Sequence, residues 1–197
     1  MTSKRALGLI AVLAALTSCA TIKELDVATP LAPMPQPEIQ PGYAEVTLFN
    51  GKEMTSTLVA QDATTRSWSR SDGCSAVTPR SGFGPAYRWA DCNGSTGTAS
   101  VKLEGEIWPL VVGRNWSYAY RGVNVRGAAW SGTRACTVKN TVRIATPAGE
   151  EDTFKIACSD HDGTHTYYVS PARKATVRYE QFRRDGWRVT SELIRVN

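Results

Sequence analysis

Turn signals recur along this chain at short, even intervals. Asn50-Gly51, Asp72-Gly73, Lys139-Asn140, Pro147-Ala148-Gly149, Asp162-Gly163, Ser170-Pro171 and Asp185-Gly186 separate segments that alternate apolar and polar side chains. Alternation with period two puts Val142 and Ile144, Phe154 and Ile156, and Val177 and Tyr179 on one face of their strands. No helical periodicity competes with it, and a tight turn joins only antiparallel neighbours. With Gly 16, Trp 6 and many Thr and Val, the expected fold is all-β and antiparallel.

Two strand-rich parts are expected. Residues 43–104 read as a small, SH3-like segment, with strands on either side of Asn50-Gly51, at 66–69, 87–89 and 98–103. Residues 105–197 read as an antiparallel meander closed into a sandwich or half-barrel, with strands at 115–121, 134–138, 141–146, 153–159, 164–170, 175–182 and 187–196. In the first of these, Trp116, Tyr118 and Tyr120 share a face, with Trp130 nearby. Core filling between sheets is the preferred role. In a half-open barrel the same face would line a pocket for a lipid or glycan.

The N-terminus has the parts of a secretory signal: Lys4 and Arg5, then an apolar run of about 11 residues to Leu16, too short to span a bilayer as a helix. Leu16-Thr17-Ser18-Cys19 resembles the lipobox of bacterial lipoproteins. The resemblance implies a signal peptide of residues 1–18 and a multiply acylated Cys19, since one acyl chain holds a protein to a membrane only reversibly. Ala20 after the cysteine implies the outer membrane, facing the periplasm. An ordinary cleaved signal is the alternative. From residue 19 to 42, Pro30, Pro33, Pro35, Pro37 and Pro41 disfavour helix and suggest an extended tether, at about 3.1 Å per residue.

Removing residues 1–18 takes away Lys4 and Arg5 and no acid, so the formal charge falls from +5 to +3. That is far from a nucleic-acid binder, and no nucleic-acid partner is expected. In an oxidising compartment, Cys74, Cys92, Cys136 and Cys158 read as two disulfides with three possible connectivities. Cys74–Cys92 and Cys136–Cys158 are favoured, each pair being close in sequence. No two cysteines have zinc-finger or Cys-x-x-Cys spacing.

Trp108-Pro109-Leu110-x-Val112-Gly113-x-x-Trp116, followed by Pro147-Ala148-Gly149 and Thr153-Phe154-Lys155-Ile156, resembles a pattern in uncharacterised proteobacterial envelope proteins. Over the last 90 residues or so it implies an all-β domain and an envelope address, and no chemistry.

Both histidines of the chain lie in 158–165. Across a hairpin tip, His161 and His165 with Asp160 or Asp162 would make a metal site; an exposed polar turn is the simpler reading, because a third nitrogen or sulfur ligand is missing. Ser159 lacks the elbow of a serine hydrolase, so no catalytic residues are expected. The Gly-rich stretches 82–85 and 94–97 lack the lysine and helix of a phosphate loop, and no cofactor is expected. Arg173, Lys174, Arg178, Arg183, Arg184 and Arg188, with Arg195, suggest a surface for an anionic lipid, glycan or protein, or simply the polar face of two strands. The reading that results is a lipid-anchored, non-catalytic module binding or assembling with another envelope component. Its alternatives are a lipid- or glycan-binding half-barrel and a metal-dependent enzyme using His161 and His165.

Overall fold

The computed structural model describes residues 23–197. The signal segment and Cys19 lie outside the described residues. After a short β1 (Leu25–Asp26) come β2 (Ala44–Phe49), β3 (Lys52–Gln61), β4 (Thr65–Arg70), β5 (Ser75–Pro79), β6 (Arg88–Cys92) and β7 (Ser95–Glu104). They are followed by β8 (Asn115–Asn124), β9 (Ala129–Thr146), β10 (Gly149–Ser159), β11 (Gly163–Ser170), β12 (Ala175–Arg183) and β13 (Arg188–Val196). Each strand from β2 onward pairs antiparallel with the next, and β13 pairs with β2 through Ser191↔Phe49 and Leu193↔Thr47. The all-β antiparallel class is therefore as expected, in the form of one closed barrel of 12 strands with β1 added outside.

Closure joins the two strand-rich parts. Residues 43–104 supply β2–β7 and residues 105–197 supply β8–β13, stitched together at β7–β8 and again at β13–β2. Either part alone would leave two unpaired edges, which the barrel abolishes. The expected strands 134–138 and 141–146 are one strand, β9, in which Lys139 is a bulge rather than a turn: Asn140 pairs with Lys155 and Val138 with Ile156.

That bulge also reverses which face is buried. On β10, Phe154, Ile156 and Cys158 join Trp116, Tyr118, Val138 and Leu110 in the core within the barrel. A few residues along the same sheet, Val142 and Ile144 belong instead to a second core with Tyr168, Val177 and Leu193. Bulges at Tyr168/Val169 and Leu193/Arg195 carry the reversal across the neighbouring strands. Cys136 faces Cys158 across β9–β10 with Cα atoms 4.0 Å apart, and Cys74 lies 4.5 Å from Cys92, both at disulfide distance.

The barrel has two unlike ends. Six tight hairpin tips (β2–β3, β4–β5, β6–β7, β8–β9, β10–β11 and β12–β13) gather at one, the tip end. The longer loops 80–87 and 105–114 lie at the other. There the proline-rich stretch crosses as a strap. Met34 is 4% exposed and exchanges backbone hydrogen bonds with Leu110 (3.1 and 2.8 Å). Gln36 Nε2 donates to Arg80 O at 2.7 Å, Arg66 Nη2 to Pro37 O at 2.9 Å, and Gln61 Nε2 to Ile39 O at 2.5 Å. A free-standing tether over 19–42 is thus not what the described part of that stretch forms. An extended, proline-rich segment makes no hydrogen bonds within itself, so its carbonyls are free to accept from the barrel, and Leu31 and Met34 supply an apolar face to dock.

Candidate functional site

One side of the barrel interior is solid. On β8, Trp116, Tyr118 and Tyr120 are buried, as the core reading expected. Phe83, on the loop from β5 to β6, inserts between Trp108, Trp116 and Tyr167 with ring centroids 5.2–5.8 Å apart. Tyr118 donates to Gly82 O at 2.5 Å and Trp108 Nε1 to Ser81 O at 2.9 Å, fixing this loop as a plug under the strap end. Glycines make room for the rings: a Cβ on Gly122 would stand 2.2 Å from the Trp130 ring, and one on Gly97 2.4 Å from Trp89.

Inside that wall lies a buried ionic chain. Asp160, just past β10, has its side chain 1% exposed; it accepts from Arg134 Nε at 3.0 Å, lies 2.9 Å from Arg134 Nη2 in an ion pair, and shares a hydrogen bond with His165 Nε2 at 3.0 Å. Its other oxygen takes the backbone N–H groups of Asp162 and Gly163 (3.0 and 3.1 Å). His165 Nδ1 meets the Tyr179 hydroxyl at 2.9 Å. Burial opposes charge on Asp160, but Arg134 and His165 outweigh it and hold the carboxyl below its ordinary range. Burial and the Arg134 charge hold the His165 imidazole down, hence neutral at pH 7, despite Asp160.

This geometry bears on the metal reading. Asp160 and His165 are brought together, but His161 turns to the exposed tip, against Asp162 (3.2 Å) and the Tyr120 hydroxyl (3.3 Å). Asp160 already accepts four hydrogen bonds and pairs with Arg134, so a cation there would have to displace Arg134. Among the described residues no group of three or more His, Cys, Asp or Glu stands ready to hold a metal ion.

The opposite side, β2–β5, is hollow. Cavities of about 380 and 290 Å³ share Glu45, Ser56 and Arg70, and a third of about 170 Å³ runs from Glu45 to the plug. Trp68, Trp89 and Tyr179 present aromatic surface to them, and Thr47, Thr78, Thr176 and Ser191 present hydroxyls. The space exists because the lumen-facing positions of β2, β3 and β5 carry short side chains such as Ser56 and Ala76. Phe49, Met54 and Arg70 place its mouth at the tip end.

Glu45 borders all three cavities. Tyr43 donates to its carboxylate at 3.0 Å, and no Lys, Arg or His nitrogen lies within 4.0 Å of it among the described residues. Burial pushes its carboxyl up, beyond what the Tyr43 hydrogen bond and the nearby Arg66 charge pull back. Arg66 Nε is buried without a hydrogen-bond partner. A carboxylate and a guanidinium N–H, both short of partners beside an aromatic-lined cavity, are the groups a ligand would satisfy.

The basic residues of the C-terminal strands do not form one patch. Arg173 and Lys174 sit at the strap end of β12, while Arg183, Arg184 and Arg188 sit at its tip end, roughly 30 Å away at 3.3 Å per residue. Arg173 pairs with buried Glu151, Arg178 with Glu180 and Glu192, Arg183 with Asp185, and Arg188 with Glu180. Lys174 and Arg184 have no carboxylate within 4.0 Å among the described residues.

Fold and site together define a closed antiparallel barrel, plugged and strapped at one end and hollow along one wall. It is similar in fold to a solved structure of the hypothetical lipoprotein YmcC from Escherichia coli (K12), with 10% identity, a TM-score of 0.49, and coverage of 80% of this chain and 89% of that one. A candidate exported protein with a YmcC-like fold from Bacteroides fragilis NCTC 9343 is similar at 12% identity and a TM-score of 0.41, over 84% of this chain and 100% of that one. No protein-family model and no curated protein matches the sequence.

Proposed function

We propose that this protein is a lipid-anchored envelope lipoprotein that acts as a non-catalytic binding barrel, taking its ligand in the lumen. The lipobox at Cys19 supports the anchor. The observation that carries the binding role is the hollow wall around Glu45: ligand-sized space lined by partner-poor charged groups, hydroxyls and flat aromatic rings. Its lining favours a neutral, polyhydroxylated ligand, a sugar, over an acyl chain. An acyl chain would leave Glu45 and Arg66 buried and unpaired. A polyanion would find Glu45 in its way, and Arg70 already held by Asp72.

Purifying the full lipidated chain from bacterial membranes in detergent, denaturing it and analysing the released small molecules by mass spectrometry tests this reading. A hexose-containing molecule near one equivalent is the expected result. A fatty acid or phospholipid as the stoichiometric species would overturn the ligand class.

An assembly role is the second reading. Phe182 and Trp187, 59% and 57% exposed on the β12–β13 hairpin, favour it, since large aromatics left in water mark protein contacts. In-cell crosslinking should then capture a defined envelope protein, and the capture should disappear in a Phe182→Ser, Trp187→Ser double variant.

A further inference from the structure

The N-terminal residues do more than lead into the barrel: they fasten it down where the described chain begins. Leu25 and Asp26 extend β9 by pairing with Arg143 and Val142, beyond the point where β8 has ended. The Glu24 carboxylate accepts from Lys155 Nζ at 2.7 and 2.8 Å and from the Tyr168 hydroxyl at 2.7 Å. Because β1 is antiparallel to β9, residues before Leu25 head towards the β9–β10 turn, at the strap end.

Only residues 20–22 stand between Cys19 and Lys23. Four Cα steps reach at most about 14 Å. A docked β1 therefore removes nearly all the reach that the prolines would otherwise have provided. Leu25 and Val112, both exposed apolar side chains, lie along the edge of β9 on that same side, with Gly113 bonded to Val138 and Leu25 paired with Arg143.

We infer that the strap end rests directly on the surface of a phospholipid bilayer, with β1 and the 105–114 loop against the headgroups and the lumen mouth turned away into the aqueous space. The inference rests on the lipid-anchor reading above. It makes the prolines a lid on the membrane side of the barrel, and it leaves the lumen open to water-borne ligands only.

Neutron reflectometry of the full lipidated chain on a supported phosphatidylethanolamine–phosphatidylglycerol bilayer tests it. The expected result is a water layer no thicker than about 15 Å between headgroups and protein. Inserting 15 Gly/Ser residues between Ile22 and Lys23 should widen that layer at least twofold. Hydrogen exchange on vesicles, compared with detergent, should protect residues 23–26 and 110–113 and leave the tips at 125–128 and 184–186 unchanged. A native water layer of 30–40 Å, or protection at the tips instead, would overturn the inference while leaving the anchor intact. Protein that washes off the bilayer would overturn the anchor reading itself, and the inference with it.

Discussion

The two walls of this barrel are built from the same alternating strands and do opposite things. Along β8–β11 the lumen-facing side chains are large, and glycines on facing strands clear space for their rings, as Gly122 does for Trp130. The buried charge there is paired: Asp160 accepts four hydrogen bonds, with Arg134 as its counter-ion. Along β2–β5 short side chains such as Thr47, Ser56, Ala76 and Thr78 stand between the larger lumen-lining ones and leave space, and Glu45 and Arg66 are left with fewer partners than they can use. A filled wall with its charges paired stabilises the fold; a hollow wall with partner-poor charges is what the proposed binding role needs.

The largest expected effect comes from unpairing the filled wall. Arg134→Met leaves Asp160 buried without its counter-ion and should cost about 3–5 kcal/mol in chemical denaturation. Next is overpacking. Gly122→Val drives two methyl groups into the Trp130 ring and should cost about 1–3 kcal/mol, whereas Ala76→Leu, in the cavity of about 380 Å³, should cost under about 1 kcal/mol. Equal costs at the two positions would erase the distinction between the walls.

The pH dependence of the two walls should also have opposite signs. His165 is held neutral in the fold, so as pH falls below about 6.5 the unfolded chain takes up its proton first and stability drops. A melting temperature lower at pH 5 than at pH 7, with a shallower slope in His165→Gln, is the expected result. The Asp160 contribution is lost only further down, below the ordinary carboxylate value of 3.8. Glu45 runs the other way. Its carboxyl is raised in the fold, so as pH rises past about 4.5 the unfolded chain ionises first and stability is lost. Glu45→Gln should therefore raise the melting temperature at pH 7, the smallest of these effects, by about 2 °C, while weakening ligand binding.

The sequence makes strands, turns and cysteine spacing legible because those are local. Asn50-Gly51 and Asp162-Gly163 sit at hairpin tips, and the sequence-near cysteines are the ones at disulfide distance. Closure is not local: Leu193 must find Thr47. Nor is a one-residue bulge such as Lys139 distinguishable from a turn when both are polar. The strap was hidden because five prolines advertise extension whether or not Met34 finds a slot. Of the site, the aromatic stripe on β8 was visible, but it belongs to the filled wall. Glu45 was masked by Val46 and Leu48, whose alternation draws attention to the other face of β2. The usable signal is the set of small polar residues Thr47, Ser56 and Thr78, on the lumen face that Glu45 shares.

Tryptophan fluorescence titration of the full chain with a panel of neutral oligosaccharides, run in parallel on Ala76→Leu, addresses the lumen most directly. Trp68 and Trp89 border the cavities and should report occupancy, with saturable binding in the parent chain and at least a tenfold weaker response in a folded Ala76→Leu. An unchanged response in that variant would put the ligand outside the barrel, and the hollow wall would lose its assigned purpose.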